Sequence, residues 1–221
     1  MICQQYYINA EYQSPAGNQP GNNNNSLFVW EGGPPIQAQN APVGSGTAST
    51  NQQQGNVVAS PAGNPFWSTD YVIGYSVGPA VSGKTATTYP NTVASAYIPG
   101  GVGGTAPIQY FGTTFGFVAH GINPSQIQFK YSFVPGTNPN ANKAFIGFWG
   151  SFVNNVYGTV PTQSVQIMGP MSGGTMIMSG LQLSAGGQYT AALYTSGFPL
   201  QTGASAPTTI AAWMQFTLAA P

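Results

Sequence analysis

Short apolar runs alternate with turn segments along the chain from residue 66 to its end. Residues 128–133 (QFKYSF) alternate polar and apolar with a period of two, which is typical of a strand with one buried face. Residues 213–218 alternate less cleanly, and no window shows a convincing helical period of 3.6 residues. Gly and Pro separate the runs. The pattern therefore predicts strands at residues 71–77, 92–98, 108–119, 126–134, 144–153, 164–168 with 175–183, 188–195 and 208–218.

These strands predict an all-β fold, with an antiparallel β-sandwich over residues 61–221. About eight strands suit a jelly roll with two four-stranded sheets, which we favour. An immunoglobulin-like sandwich of seven strands is the alternative, and two segments resemble its tyrosine corner. In each, a Gly-aliphatic pair precedes a short loop and a Tyr-bearing strand: Gly121 with Ile122 before Tyr131, and Gly180 with Leu181 before Tyr189.

Residues 1–60 differ in composition, since they are rich in Asn, Gln, Gly and Pro. Such a sequence buries too little apolar area to offset its own chain entropy. We therefore expect an extended N-terminal arm that is ordered by its own domain or by a neighbouring subunit. Removing residues 1–59 is expected to leave a folded β domain that no longer assembles. Two apolar islands interrupt the arm and are predicted to make the assembly contacts: Tyr6, Tyr7 and Ile8, and then Leu27, Phe28, Val29 and Trp30.

Charge is almost absent from the chain, at 3% of residues, against about 25% in an ordinary soluble domain. Three lysines cannot form a basic stripe, so nucleic acid is not expected as a partner. No run approaches the roughly 18 apolar residues of a membrane span. With three carboxylates, little stability depends on ionised acids, so we expect thermal stability to change little between about pH 2 and pH 7. We interpret this composition as an adaptation to acid.

One segment, Gly78 to Thr85, matches the phosphate-binding loop G-x-x-x-x-G-K-[ST] and follows a predicted strand. That loop needs a helix directly after its Lys, so that the helix N-terminus faces the phosphates. Here residues 86–90 are β-branched in part and end at Pro90. Magnesium would also need an acidic residue downstream, whereas Asp70 lies upstream. The segment is therefore predicted to be a turn between strands.

The chain is not expected to be an enzyme or to hold a cofactor or a metal. His120 is the sole histidine, and no G-x-S-x-G nucleophile elbow accompanies it. Metal ligation could draw on His120, Cys3 and three carboxylates, with no recognisable spacing. Methionines 168, 171, 176 and 178 lie close together in the sequence. We expect them to pack in a core or an interface rather than to bind a soft metal, since Met176 and Met178 share one strand face.

In its size, in an arm followed by about eight strands, and in its near absence of charge, the chain resembles single-jelly-roll structural proteins of icosahedral viruses from acidic hot springs. These are the penton-base and turret class. The resemblance covers residues 66–221 as a pattern and carries no functional residues with it. It implies an outward-facing vertex or shell subunit of a virion, which assembles as a symmetric ring with copies of itself and with other structural proteins.

Two alternative functions remain open. One is an extracellular filament subunit joined by strand donation, in which the arm completes the sheet of a neighbour. The other is a glycan-binding β-sandwich module, since aromatic platforms with Asn and Gln can hold sugars without charge. The four tryptophans available for such a platform are Trp30, Trp67, Trp149 and Trp213.

Overall fold

A computed structural model describes residues 7–36, 41–61, 69–78, 91–100, 106–201, 203 and 205–219. The chain forms two compact units. Unit 1 consists of Met1–Gly112 with Val134–Gly136, and unit 2 consists of Thr113–Phe133 with Thr137–Pro221. This division does not coincide with the boundary near residue 60 that composition suggested.

Unit 1 is built on one seven-stranded sheet in the order β1-β4-β3-β2-β5-β6-β7. All six neighbouring pairs are antiparallel, which agrees with the predicted fold class. The strands are β1 (Ile8–Gln13), β2 (Ser26–Glu31), β3 (Gly44–Thr47), β4 (Gln54–Pro61), β5 (Tyr71–Ser76), β6 (Thr92–Ile98) and β7 (Gln109–Gly112).

The expected arm contributes four of these seven strands, β1 to β4. Its polar segments form turns that amide side chains close. The N–H of Asn22 donates to Oδ1 of Asn51 at 2.9 Å, and Nδ2 of Asn23 donates to Oδ1 of Asn18 at 2.7 Å. The amide groups that suggested an open chain thus bond to the backbone and to each other. The four strands between residues 8 and 61 therefore belong to the sheet of unit 1, and the described segments between them are its connections.

The sheet of unit 1 has an outer face with its own small core. Directly opposite residues of antiparallel strands share a face, so Trp30, Val72 and Tyr97 lie together. Phe28 and Ile36 complete this cluster. Gly74 lies between Trp30 and Thr92, where an added Cβ would come within 2.9 Å of the indole. A larger residue there would displace Trp30, which explains a glycine in the middle of β5.

Unit 2 is a sandwich of two antiparallel sheets, in the orders β8-β9-β12 and β11-β10-β13-β14. A single turn of helix, α1 (Pro139–Asn142), precedes β10. The strands are β8 (Thr114–Asn123), β9 (Gln126–Ser132), β10 (Phe145–Trp149), β11 (Gln163–Gln166), β12 (Gly173–Ser179), β13 (Gln188–Tyr194) and β14 (Ile210–Thr217).

The strand order of unit 2 is immunoglobulin-like rather than that of a jelly roll. With β8 to β14 taken as strands A, B, C, C′, E, F and G, the sheets read A-B-E and C′-C-F-G. The tyrosine corner predicted at Tyr189 is present at the start of strand F. Its hydroxyl accepts the N–H of Ser184 at 2.8 Å, and Gly187 lies against the ring.

The core of unit 2 covers both faces of its four-stranded sheet. On the inner face, Phe216 contacts Phe117 of the other sheet with ring centroids 4.8 Å apart. On the opposite face, Phe145 stacks on Tyr194 at 4.2 Å. Side chains from the long connections pack over this stack, among them Val153, Val156, Tyr157, Phe198 and Leu200. The two central strands of this sheet, β10 and β13, therefore carry apolar side chains on both faces.

Candidate functional site

The predicted assembly residues fall at two places in unit 1. Tyr6 lies outside the described residues. Tyr7 precedes β1 with 64% of its side chain exposed, and Ile8 begins β1 partly buried. The second island forms β2, and its four residues Leu27, Phe28, Val29 and Trp30 are all buried within unit 1.

The residues of β2 point alternately to the two faces of the sheet. Phe28 and Trp30 belong to the outer-face cluster. Leu27 lies opposite Tyr75, and Val29 lies opposite Ile73, on the other face. We call this second face the groove face. The second island therefore supports both faces of its own sheet, and its side chains are not displayed for a neighbour.

The groove face lines a cavity of about 750 Å³. The sheet curls so that its two edge strands, β1 and β7, both border this cavity, while β2, β5 and β6 form its floor. Burial falls from floor to rim: Leu27 is 2% exposed, whereas Ile108 is 44% and Tyr110 is 77% exposed. The lining is mostly apolar, and among the described residues that border the cavity Glu11, on the exposed side of β1, is the one that carries a charge. The cavity is thus an apolar groove open along one side.

Tyrosines fix the floor of the groove. The ring of Tyr75 stacks on Tyr12 of β1, with centroids 5.1 Å apart. Its hydroxyl accepts a hydrogen bond from Nδ2 of the buried Asn25 at 3.0 Å. Oδ1 of Asn25 in turn accepts the N–H of Gly78 at 3.0 Å. Burial raises the pKa of Tyr75 to about 12, so the phenol brings no charge into the groove at neutral or acidic pH.

The two edges of the groove run in the same direction. Each step from β1 through β4, β3, β2, β5 and β6 to β7 reverses the strand direction, and six reversals restore it. β1 pairs on one side with β4, and β7 pairs on one side with β6. Among the described residues neither strand has a second partner, so both present an unpaired row of backbone groups to one groove.

An acidic residue braces the other end of β5. Oδ2 of Asp70 accepts the hydroxyl of Tyr97 at 2.7 Å, and Oδ1 accepts the N–H of Gly100 at 2.6 Å. These two hydrogen bonds, that of Gly100 first, hold the pKa of Asp70 below its ordinary value. The pKa of Tyr97 is raised by the same contact. The arrangement ties the start of β5 to the end of β6, which is a structural role.

Other candidates from the sequence have different surroundings. Residues 79–90, with most of the loop that resembles a phosphate-binding motif, lie outside the described residues, as does the side chain of His120. Trp30 and Trp149 are buried, at 0% and 2% exposure, and so offer no platform to a sugar. In the part of the chain that the structure describes, no three His, Cys, Asp or Glu side chains gather as metal ligands. No helix in that part is long and apolar enough to cross a membrane.

Sequence reasoning missed the groove, although a weak signal for it exists. Ile8, Ala10 and Tyr12 alternate with Asn9 and Glu11 along β1, which is typical of a strand with one apolar face. The pattern cannot say which strand becomes an edge, because that depends on pairing between distant segments. No known family model and no curated protein sequence matches this chain.

Proposed function

We propose that this chain is a structural subunit of a virion, an outward-facing shell or vertex protein of the penton-base or turret type. It acts by binding copies of itself and other structural proteins of the same assembly, and it has no catalytic role. The observation that supports this best is that β1 and β7, which have no second partner strand in the part of the chain that the structure describes, border one apolar groove. Open edges of this kind are sites for adding strands from other chains.

The composition supports the same function. A chain with six charged residues and a net charge of zero has little electrostatic repulsion between copies. Apolar contacts and backbone hydrogen bonds do not depend on ionised carboxylates, so contacts of this kind persist in acid. A surface built from amide and hydroxyl groups suits a subunit that faces acid from within an assembly.

The same open edges favour a second function, an extracellular filament subunit joined by strand donation. Shell and filament share the groove and differ in how successive subunits are rotated. A glycan-binding module draws less support, because two of its four candidate tryptophans are buried.

Electron microscopy and sedimentation velocity of the purified full-length protein test these functions. We expect assembly that increases with protein concentration, with closed rings or shells in the micrographs. Open fibres would replace the virion proposal with the filament. A protein that stays monomeric at every concentration would contradict both, and glycan-array binding by that monomer would favour the sugar-binding module.

A further inference from the structure

We propose that the groove between β1 and β7 takes one additional β-strand, and that this strand is residues 1–7 of a second copy of the chain. The inference rests on the proposed self-assembly and specifies how one copy holds the next. It assigns an acceptor site to the groove and a donor role to the first of the two predicted islands.

The strand directions of the sheet define what can fill the gap. Because β1 and β7 run in the same direction, one strand between them can be antiparallel to both. That strand would bond to both unpaired rows of backbone groups at once. It would also raise the strand number from seven to eight, the number at which side chains just fill the interior of a barrel.

The groove also defines the side chains of its occupant. Ile8, Ile98 and Ile108 lie partly or largely exposed around its open side, and Ala94 on β6 leaves space above the floor. An inserted strand would cover them with apolar side chains at every second position. A charged strand would lose its hydration there without gaining a partner, so the occupant is uncharged.

Residues 1–7 have this chemistry. They read Met-Ile-Cys-Gln-Gln-Tyr-Tyr and contain no charged side chain. Ile2 and Tyr6 fall on the same side of an extended strand and can point into the groove together. Seven residues span about 23 Å as a strand, which matches the six residues of β1. Tyr7, the last of them, is 64% exposed and contributes little to its own unit.

The donor is assigned to another copy because the sequence before β1 lacks the residue types of a tight turn that would return it to its own groove. To pair with β1 of the same chain, residues 1–6 would need a tight hairpin just before Ile8. Such hairpins use Gly, Asn or Asp at their central positions, and residues 4–7 are Gln-Gln-Tyr-Tyr. An extended segment that continues β1 instead leads away from its own groove, toward the next subunit.

Deletion of residues 2–7 is the first test. We expect the truncated protein to keep the thermal unfolding transition of the full chain and to sediment as a monomer. A synthetic peptide of residues 1–7 should bind the truncated protein, and the peptide with Ile2→Asp and Tyr6→Asp should bind at least tenfold more weakly. Truncated protein that still assembles would overturn strand donation while leaving self-assembly in place.

A cross-link distinguishes donation to a neighbour from closure within one chain. Gly112 on β7 faces the groove, and an added Cβ there meets nothing within 4 Å, so Gly112→Cys should fold. The cysteine of the donor strand is moved by Cys3→Ser with Gln4→Cys, because position 4 lies on the same side of the strand as Ile2 and Tyr6. In this background a short bismaleimide should join position 4 of one copy to position 112 of another and give a covalent dimer. The control is Val58→Cys, since Val58 is 51% exposed on the outer face and does not line the groove.

Each outcome of the cross-link decides the proposal. A dimer with Gly112→Cys, absent with Val58→Cys, supports donation between copies. A link within a single chain shows that the segment closes its own sheet and overturns the proposal. Equal dimer yields in the two variants, or no link in an assembled protein, also overturn it. A full-length protein that is monomeric throughout would contradict the proposed function itself.

Discussion

Two strand glycines of unit 2 have contrasting surroundings. At Gly147 in β10, an added Cβ would lie 2.5 Å from Pro161 and 2.9 Å from the ring of Tyr194. At Gly116 in β8, the same atom would meet nothing within 4 Å. One glycine is required by the packing on the sheet face, and the other is not.

We therefore expect Gly147→Ala to lower the free energy of unfolding by about 1–3 kcal/mol, because it overpacks a filled site. Gly116→Ala should leave it unchanged or raise it by up to about 1 kcal/mol, since alanine restricts the unfolded chain. Urea unfolding of the two variants beside the native chain measures both changes. Equal effects of the two substitutions would contradict the packing described around Gly147.

Asp70 makes the stability of unit 1 depend on pH. The folded pKa of its carboxyl is lowered, so the stability that it contributes is complete above the unfolded value of about 3.9. That contribution is lost as pH falls through the folded pKa. We still expect the thermal stability to change little in acid, apart from this contribution of Asp70.

We expect Asp70→Asn to lower the melting temperature at pH 7 and to lower it progressively less as pH falls below the unfolded pKa of about 3.9 toward the lowered folded pKa, because the native carboxylate then loses its contribution. Tyr97→Phe removes one of the two hydrogen bonds and should give a smaller change of the same kind. Thermal unfolding at a series of pH values provides the measurement. A difference between Asp70→Asn and the native chain that stays constant from pH 7 to pH 2 would refute this role.

At the scale of elements, the sequence predicts strands well and their partners poorly. β9 follows from its alternating pattern, and β2 follows from an unbroken apolar run. Tyr189 even indicated the corner of an immunoglobulin-like sandwich. Composition could not show that the segment before residue 61 joins a sheet, because β1 pairs with β4 more than forty residues away, as in Ile8 with Ala59. The groove depends on this pairing, so it could not be predicted from the sequence either.

The two predicted islands should respond differently to truncation. Trp30→Ala removes a side chain that is 0% exposed and should lower the free energy of unfolding by about 3–5 kcal/mol. Tyr7→Ala removes a side chain that is 64% exposed and should change it by less than about 0.5 kcal/mol. Chemical denaturation of both variants distinguishes them. A large loss from Tyr7→Ala would mean that this residue packs on its own unit.

Removal of residues 1–59 now has a different expected result. That deletion takes away β1, β2 and β3 and most of β4, leaving the outer-face cluster without Phe28, Trp30 and Ile36. We expect it to unfold unit 1 rather than to free an intact domain. Shorter deletions before β1 are the ones that can probe assembly.

For the whole molecule, the scarcity of charge predicts how the proposed assembly would respond to salt. Raising ionic strength from about 0.01 M to 1 M shortens the Debye length from about 30 Å to 3 Å and weakens contacts between exposed charges. With three lysines and three carboxylates in the chain, few such contacts are available. Sedimentation should therefore give the same oligomer at both ionic strengths. Dissociation at high salt would point to an interface built on these few charges.

Because β1 and β7 border one groove, the proposed strand donation would also give the assembly a polarity. A donor that enters a neighbour's groove makes a heterologous contact, in which the two partners use different surfaces. Each subunit then has a donor segment at one place and an acceptor groove at another, so subunits add head to tail. A rotation per step that divides a full circle closes a ring, whereas any other rotation produces an open helix. The same contact could thus build either a ring at a vertex or a filament, and the rotation between successive copies would decide which of the two forms.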